Sequence, residues 1–220
     1  MADERTGIAM CTGNSIIDDS SFIYSAWNGL KAVKEEYDIH TDITDVRDKK
    51  ELNKELVDYS NDNIRLVWAV GSEIVQNVIE EAWRYPHITF ICIDTPHGKL
   101  PDNVVGVDFR EQEGAFLAGY LSAQVSGRKH IGFVGGMEAA RIRKFEYGYK
   151  AGAWLADHNI IVDTSYTGSF INEEAGRNTA LELYKNGCEV MFHAAGLAGR
   201  GVIHQAKEKG KLVIGADIDQ

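Results

Sequence analysis

The strongest constraint on the fold is an alternation of short apolar runs with longer amphipathic stretches along the 220 residues. Most apolar runs have about four to eight residues and are rich in Val, Ile and Phe, which is typical of parallel strands buried on both faces. The predicted strands are Gly7–Cys11, Ile39–Val46, Leu66–Val70, Ile88–Ile93, Val104–Phe109, Ile131–Val134, Ile160–Tyr166, Val190–Ala194 and Leu212–Gly215.

The stretches between the strands carry helical periodicity. The first begins after Asp18, Asp19 and Ser20, whose side chains are good helix N-caps. Strand–helix alternation of this length predicts the α/β class, with mostly parallel strands, helices on both faces and right-handed crossovers. The predicted helices are Ser21–Tyr37, Lys49–Tyr59, Glu73–Arg84, Glu111–Val125, Arg141–Asp157, Asn172–Asn186 and Gly199–Lys209.

A domain boundary is predicted at the small, flexible and charged segment 126–129, just before a new strand. Residues 1–126 then form an N-terminal α/β lobe with five strands. Residues 127–220 form a second α/β lobe with four.

Charge and apolar pattern exclude several partners. The net charge of −10, with acidic residues spread along the chain, argues against nucleic acid and against anionic membrane surfaces. No run approaches the roughly 20 apolar residues of a membrane span. The polar N-terminus predicts either a cytosolic protein or one whose signal peptide is not in this sequence. Cys11, Cys92 and Cys188 are far apart, so we expect buried thiols rather than disulfides or a zinc site.

In parallel sheets, ligands bind at the carboxyl ends of the strands. The loops that follow the predicted strands are rich in Gly, Asp and Ser and contain no cluster of Lys or Arg. They favour a neutral, hydroxyl-rich ligand over a phosphate or carboxylate. Asp94 and Asp217 follow strands closely, where a carboxylate can accept two hydroxyl hydrogen bonds from a sugar. In an enzyme the same position can hold a general base.

Other strand-end residues leave two interpretations open. Phe22 and Phe170 lie in loops of different lobes, where they either sandwich a flat base or pack in a core. The glycine loop 195–201 has the spacing GxxGxG rather than GxGxxG. Its glycines either let a ligand approach backbone N–H groups at a helix N-terminus or form a structural turn. His193 either faces the ligand or is a buried, hydrogen-bonded histidine.

Catalytic motifs are missing from the sequence. It has no Walker loop, no HExxH, no GxSxG and no recognisable pair of nucleophile and base. We therefore expect a binding protein rather than an enzyme, with no cofactor and no metal. An α/β enzyme such as a hydrolase is the enzymatic alternative.

Several segments together resemble the basic membrane protein family of bacterial substrate-binding lipoproteins. The resemblance extends over nearly the whole chain, and the combination of segments is specific where any one alone is not. These segments are Asp18–Phe22, Ser25–Leu30, Phe109–Tyr120, Ile131–Gly136, Phe145–Ala153, Ala194–Ile203 and Ile214–Gln220.

The resemblance implies a type I periplasmic-binding-protein fold, with two Rossmann-like lobes that close on a ligand in the cleft between them. It also implies delivery of a purine nucleoside (adenosine, guanosine or inosine) to an ABC-type permease by an extracytoplasmic, membrane-anchored lipoprotein. By matching motif positions, Asp19 and Phe22 would contact the base, and Asp94 and Asp217 the ribose. Phe170 would be the second stacking face, and the loop at Gly196 would supply backbone contacts.

Three features depart from the family pattern. Ile23 stands where Asn is usual, which would remove an amide that reads the base. The sequence has no lipidated N-terminal cysteine. Family members extend beyond Gln220, so we expect the second lobe to be incomplete at its C-terminus. The alternative function is a cytosolic ligand-sensing domain of a regulator that binds another small polar molecule.

Overall fold

The structure is a computed structural model that describes residues 6–13, 22–95 and 98–217. The chain forms two compact units, Met1–Phe109 and Arg110–Gln220. The first unit contains a five-stranded sheet and the second a four-stranded sheet, and every strand pairing is parallel. The predicted α/β class is confirmed.

The first unit has strands in the order β2-β1-β3-β4-β5, so β1 lies between β2 and β3. Its elements are β1 (Gly7–Gly13), α1 (Phe22–Tyr37), β2 (Thr41–Val46), α2 (Lys49–Asn61), β3 (Ile64–Val70), α3 (Ser72–Glu81), a short 3-10 helix (Ala82–Arg84), β4 (Thr89–Ile93) and β5 (Val104–Val107).

Helices cover both faces of this sheet. Alternate side chains of β1 enter different cores, because successive residues of a strand point to opposite faces. Ile8 and Met10 pack with α1, whereas Ala9 and Cys11 pack with α2 and α3. Burial on both faces explains why the strands are continuous apolar runs.

The second unit has the strand order β7-β6-β8-β9. One core lies between the sheet and α4 and α5, and another lies between the sheet and α6 and α7. The elements are α4 (Glu111–Val125), β6 (His130–Gly135), α5 (Ala140–Ala156), β7 (Ile161–Tyr166), α6 (Glu173–Asn186), β8 (Val190–Ala194), α7 (Ala198–Lys209) and β9 (Leu212–Ile214).

The boundary between the units differs from the predicted one. The sequence placed it after residue 126, which assigns α4 to the first lobe, whereas α4 belongs to the second unit. The reason is close packing of α4 against α5 through glycines. A Cβ at Gly119 would lie 1.9 Å from the carbonyl oxygen of Tyr149, and one at Gly152 would lie 1.9 Å from that of Phe116. Only glycine allows backbones to approach this closely.

The predicted strands and helices all occur, with shifts of a few residues at their ends. The largest difference concerns α3, whose predicted last turn, Ala82–Arg84, is the 3-10 helix; the ends of the other elements shift by at most two residues. The predicted N-cap residues 18–20 lie outside the described residues. None of the described helices combines the length and the apolar composition that a bilayer span requires.

Candidate functional site

In the first unit, Asp94 immediately follows β4 and has a φ of +72°, which is uncommon for any residue but glycine. Its N–H donates to the carbonyl oxygen of Val107 at 2.9 Å, which holds this turn against the end of β5. The residue is half-buried. The turn therefore fixes Asp94 at the carboxyl end of the sheet, where the sequence placed it.

Phe22 is the first residue of α1 and is half-buried against the core that this helix shares with β1. Ile23 is 7% exposed and packs inside that core. The side chain at position 23 therefore contributes to packing. Asp19 lies outside the described residues.

In the second unit, Phe170 lies between two glycines that follow different strands. A Cβ at Gly136, just after β6, would lie 2.3 Å from Cδ1 of the Phe170 ring. A Cβ at Gly196, just after β8, would lie 3.0 Å from the Phe170 carbonyl oxygen. That oxygen accepts a hydrogen bond from Ala198 N–H at 3.1 Å. The residue is nevertheless 38% exposed, so the ring rests on the Gly136 backbone and keeps free surface.

The structure thus brings two predicted site residues, Phe170 and Gly196, into contact. Gly196 has a φ of +56°, which glycine adopts without strain. The other glycines of the loop serve packing. A Cβ at Gly199 would meet the His193 ring at 2.2 Å, and one at Gly201 would meet the carbonyl oxygen of Glu173 at 1.9 Å. The structural interpretation of the loop therefore accounts for Gly199 and Gly201.

His193 is 1% exposed beneath Gly199. This burial confirms the interpretation of His193 as a core histidine and removes it from the residues that can face a ligand.

Asp217 follows β9 by three residues and has a φ of +73°. It resembles Asp94 in backbone conformation and in its place after a strand. Its surface is exposed, yet the surrounding protein displaces enough solvent to raise the pKa of the carboxyl.

Basic side chains near the start of α5 are paired with acids. Arg141 donates to Glu111 at 2.6 Å, and Lys144 lies 3.6 Å from the same carboxylate. Arg143 forms an ion pair with Glu138. These three cations and two carboxylates carry a net charge of +1, so pairing offsets most of the positive charge of this segment.

A surface depression of about 370 Å³ lies along α5, but none of the expected ligand-binding residues lines it. It is open to solvent. We therefore place the candidate site at the strand ends, where the sequence and the glycine geometry agree. The residues that line the depression are Glu138, Ala139, Ala140, Arg143, Lys144 and Tyr147.

The cysteines are all buried and free. Burial raises the thiol pKa of Cys11, Cys92 and Cys188 to about 12. Cys188 additionally lies beside His130 and Asp163. No local sequence pattern indicates this grouping, because its members come from three separate strands or strand ends.

Comparison with known proteins places the chain in a family. Residues 7–220 match the family described as Bmp, ABC transporter substrate-binding protein PnrA-like. The chain belongs to this family. A curated Bmp relative, basic membrane protein A1 of Borrelia garinii subsp. bavariensis, is 40% identical over 207 residues, covering 92% of this chain. The chain spans 61% of the length of that relative.

Solved structures share the fold of this Bmp-family chain. An ABC transporter solute-binding protein from Aeropyrum pernix K1 has a TM-score of 0.84 at 24% identity and covers 96% of this chain and 61% of its own. A transcriptional activator of the comK gene from Bacillus halodurans has a TM-score of 0.81 at 15% identity. The match covers 95% of this chain and 70% of the activator. At such identities the similarity concerns the fold alone. The predicted type I periplasmic-binding-protein fold is confirmed.

Proposed function

We propose that this chain is the ligand-binding part of a substrate-binding receptor for an ABC-type importer, and that its ligand is a purine nucleoside. One observation carries the nucleoside assignment: the Phe170 ring is seated on the Gly136 backbone at the strand ends, with free surface. Stacking of a base on such a ring contributes about 1–3 kcal/mol. Membership in the Bmp family supports the importer receptor.

The sugar would be held by Asp94 and Asp217. Both are aspartates with positive φ that follow a strand, one in each unit. Carboxylates accept hydroxyl hydrogen bonds that are stronger than neutral ones. Phe22 and Gly196 complete the proposed set, with Asp19 as a further base contact.

Purine rather than pyrimidine is the narrower part of the proposal, and it rests on the resemblance to the family. A purine offers a larger aromatic face for stacking on Phe170. The loops that follow the strands contain no cluster of Lys or Arg, which favours the nucleoside over the nucleotide.

The proposed location follows from the same assignment: an extracytoplasmic lipoprotein anchored to the membrane and working with a permease. Relatives that carry the name basic membrane protein support it. The alternative, a cytosolic sensor domain, is favoured by the similar fold of the transcriptional activator. A signal sequence with a cysteine encoded upstream supports the receptor, whereas a DNA-binding segment there supports the sensor.

Calorimetric titration with adenosine, guanosine, inosine, cytidine and ribose tests the proposed function, after any co-purified ligand has been removed by unfolding and refolding. We expect micromolar or tighter binding of purine nucleosides and no heat from ribose. Binding of cytidine with equal affinity would contradict the purine assignment. Release of free base during incubation would instead point to the hydrolase.

A further inference from the structure

We infer that His130, Asp163 and Cys188 form a binding site for a divalent transition metal, with zinc as the preferred ion. One ligand atom of each residue lies within 4.8 Å of the others. His130 Nε2 is 2.9 Å from Asp163 Oδ2, and Cys188 Sγ is 3.9 Å from the same oxygen. This site is independent of the proposed nucleoside receptor.

The sheet brings the three side chains together at the amino ends of its strands. His130 begins β6, Asp163 is in β7, and Cys188 lies just before β8. These strands are neighbours, in the order β7-β6-β8. The loops of the proposed nucleoside site follow the carboxyl ends of the strands. The metal site therefore lies at the other end of the second-unit sheet, where the strands begin.

Two glycines leave room for the cluster. Gly132 pairs with Asp163 across the sheet, and a Cβ there would lie 3.4 Å from Cys188 Sγ. A Cβ at Gly187 would lie 3.1 Å from His130 Nδ1. A Cβ at Gly187 would crowd the His130 ring, whereas one at Gly132 would only reach ordinary contact with the Cys188 sulfur.

The distances suit tetrahedral zinc. Zinc bonds of about 2.0–2.3 Å at tetrahedral angles place ligand atoms about 3.3–3.6 Å apart. The His130–Asp163 separation of 2.9 Å is shorter than this range, and the Cys188–Asp163 separation of 3.9 Å is longer. Side-chain movements of a few tenths of an ångström bring these two separations into range. The third separation, between His130 and Cys188, is at most 4.8 Å, so the imidazole and the thiol would have to turn toward the ion by up to about 1.5 Å more. The three residues leave a fourth position for water.

The ligand types select the metal. Imidazole and thiolate favour zinc and similar transition metals, whereas magnesium and calcium prefer oxygen ligands. The His130 side chain is 17% exposed and that of Asp163 35%, which gives an ion access, while Cys188 is buried. On binding, a sulfur–metal bond forms and the thiol proton passes to solvent. The bound ion would then cross-link β6, β7 and the segment before β8 at the amino ends of these strands.

Titration of the metal-free protein with Co²⁺ tests this inference, because a thiolate ligand gives cobalt a charge-transfer absorption band. We expect the band in the parent chain and its loss on addition of one equivalent of Zn²⁺. Cys188→Ala should abolish the band. Cys92→Ala is the matched control, because Cys92 is also buried and has a similarly raised pKa.

A second variant covers the case in which Cys188→Ala does not fold. Asp163→Asn preserves shape at a partly exposed position and should weaken zinc affinity by more than about tenfold, the smallest loss typical of altering an outer-shell partner. Zinc affinity is read by competition with a chromogenic chelator. Absence of the band in the folded parent chain, an unchanged band in Cys188→Ala, or an unchanged zinc affinity in Asp163→Asn would overturn the metal site.

Discussion

Replacement of Gly119 by Ala tests the packing that assigns α4 to the second unit. The added Cβ would lie 1.9 Å from the Tyr149 carbonyl oxygen, whereas ordinary contact begins at 3.4 Å. The two helices would therefore have to separate by about 1.5 Å, the difference between these distances. Overpacking costs about 1–3 kcal/mol, and we expect the upper end because the obstructing atom is backbone.

The intrinsic preference of helices for Ala over Gly offsets about 1 kcal/mol of this cost. The expected net loss for Gly119→Ala is about 2 kcal/mol in the free energy of unfolding. Gly114→Ala in the same helix is the matched control, because nothing lies within 4 Å of its Cβ. That variant should gain about 1 kcal/mol, so the two variants should differ by about 3 kcal/mol.

Urea unfolding followed by circular dichroism measures both variants, with linear extrapolation to water. Failure of Gly119→Ala to fold while Gly114→Ala folds would agree with the packing. Equal stability of the two variants would refute the close approach of α4 and α5.

Three further predictions concern stability and binding. Asn103 donates from Nδ2 to three carbonyl oxygens, so Asn103→Ala should cost about 2 kcal/mol in urea unfolding; an unchanged midpoint would contradict this. Burial raises the pKa of Glu146, but hydrogen bonds from Lys150 and Tyr166 outweigh it and leave the pKa below 4.5. The stabilisation is therefore complete above pH 4.5 and is lost as pH falls through the folded pKa, so the stability advantage over Glu146→Gln should shrink on acidification. Asp217→Asn should keep the fold, since Asn tolerates positive φ, yet bind nucleoside about tenfold more weakly in calorimetry; unchanged affinity would remove Asp217 from the site.

Elements with a local signal were predictable from the sequence. The bounds of β8 and α4 were predicted without error. The strand β8 is a continuous buried run, and α4 is followed directly by the small residues Ser126 and Gly127. Strand ends also indicated Asp94, Phe170, Gly196 and Asp217 as site candidates. The chemistry of loops after parallel strands is readable because the fold fixes where those loops lie.

Features that depend on distant partners were not predictable. The unit boundary follows from Gly119 and Gly152 meeting backbone on another helix, which periodicity does not report. The cluster of His130, Asp163 and Cys188 depends on strand order, because its members lie at least 25 residues apart in the sequence. The positive φ of Asp94 and Asp217 is likewise visible only in the backbone coordinates and not in the sequence pattern.

The most direct test of the nucleoside site is calorimetric titration of inosine into the parent chain, Phe170→Ala and the control Ile171→Ala. Ile171 is a neighbouring exposed apolar residue, 56% exposed, with no proposed role in binding. We predict that Phe170→Ala weakens binding roughly 5-fold to 150-fold, the equivalent of about 1–3 kcal/mol of stacking, while Ile171→Ala binds as the parent does. Equal affinities of the three proteins for inosine would contradict the stacking role of Phe170 and with it the proposed site.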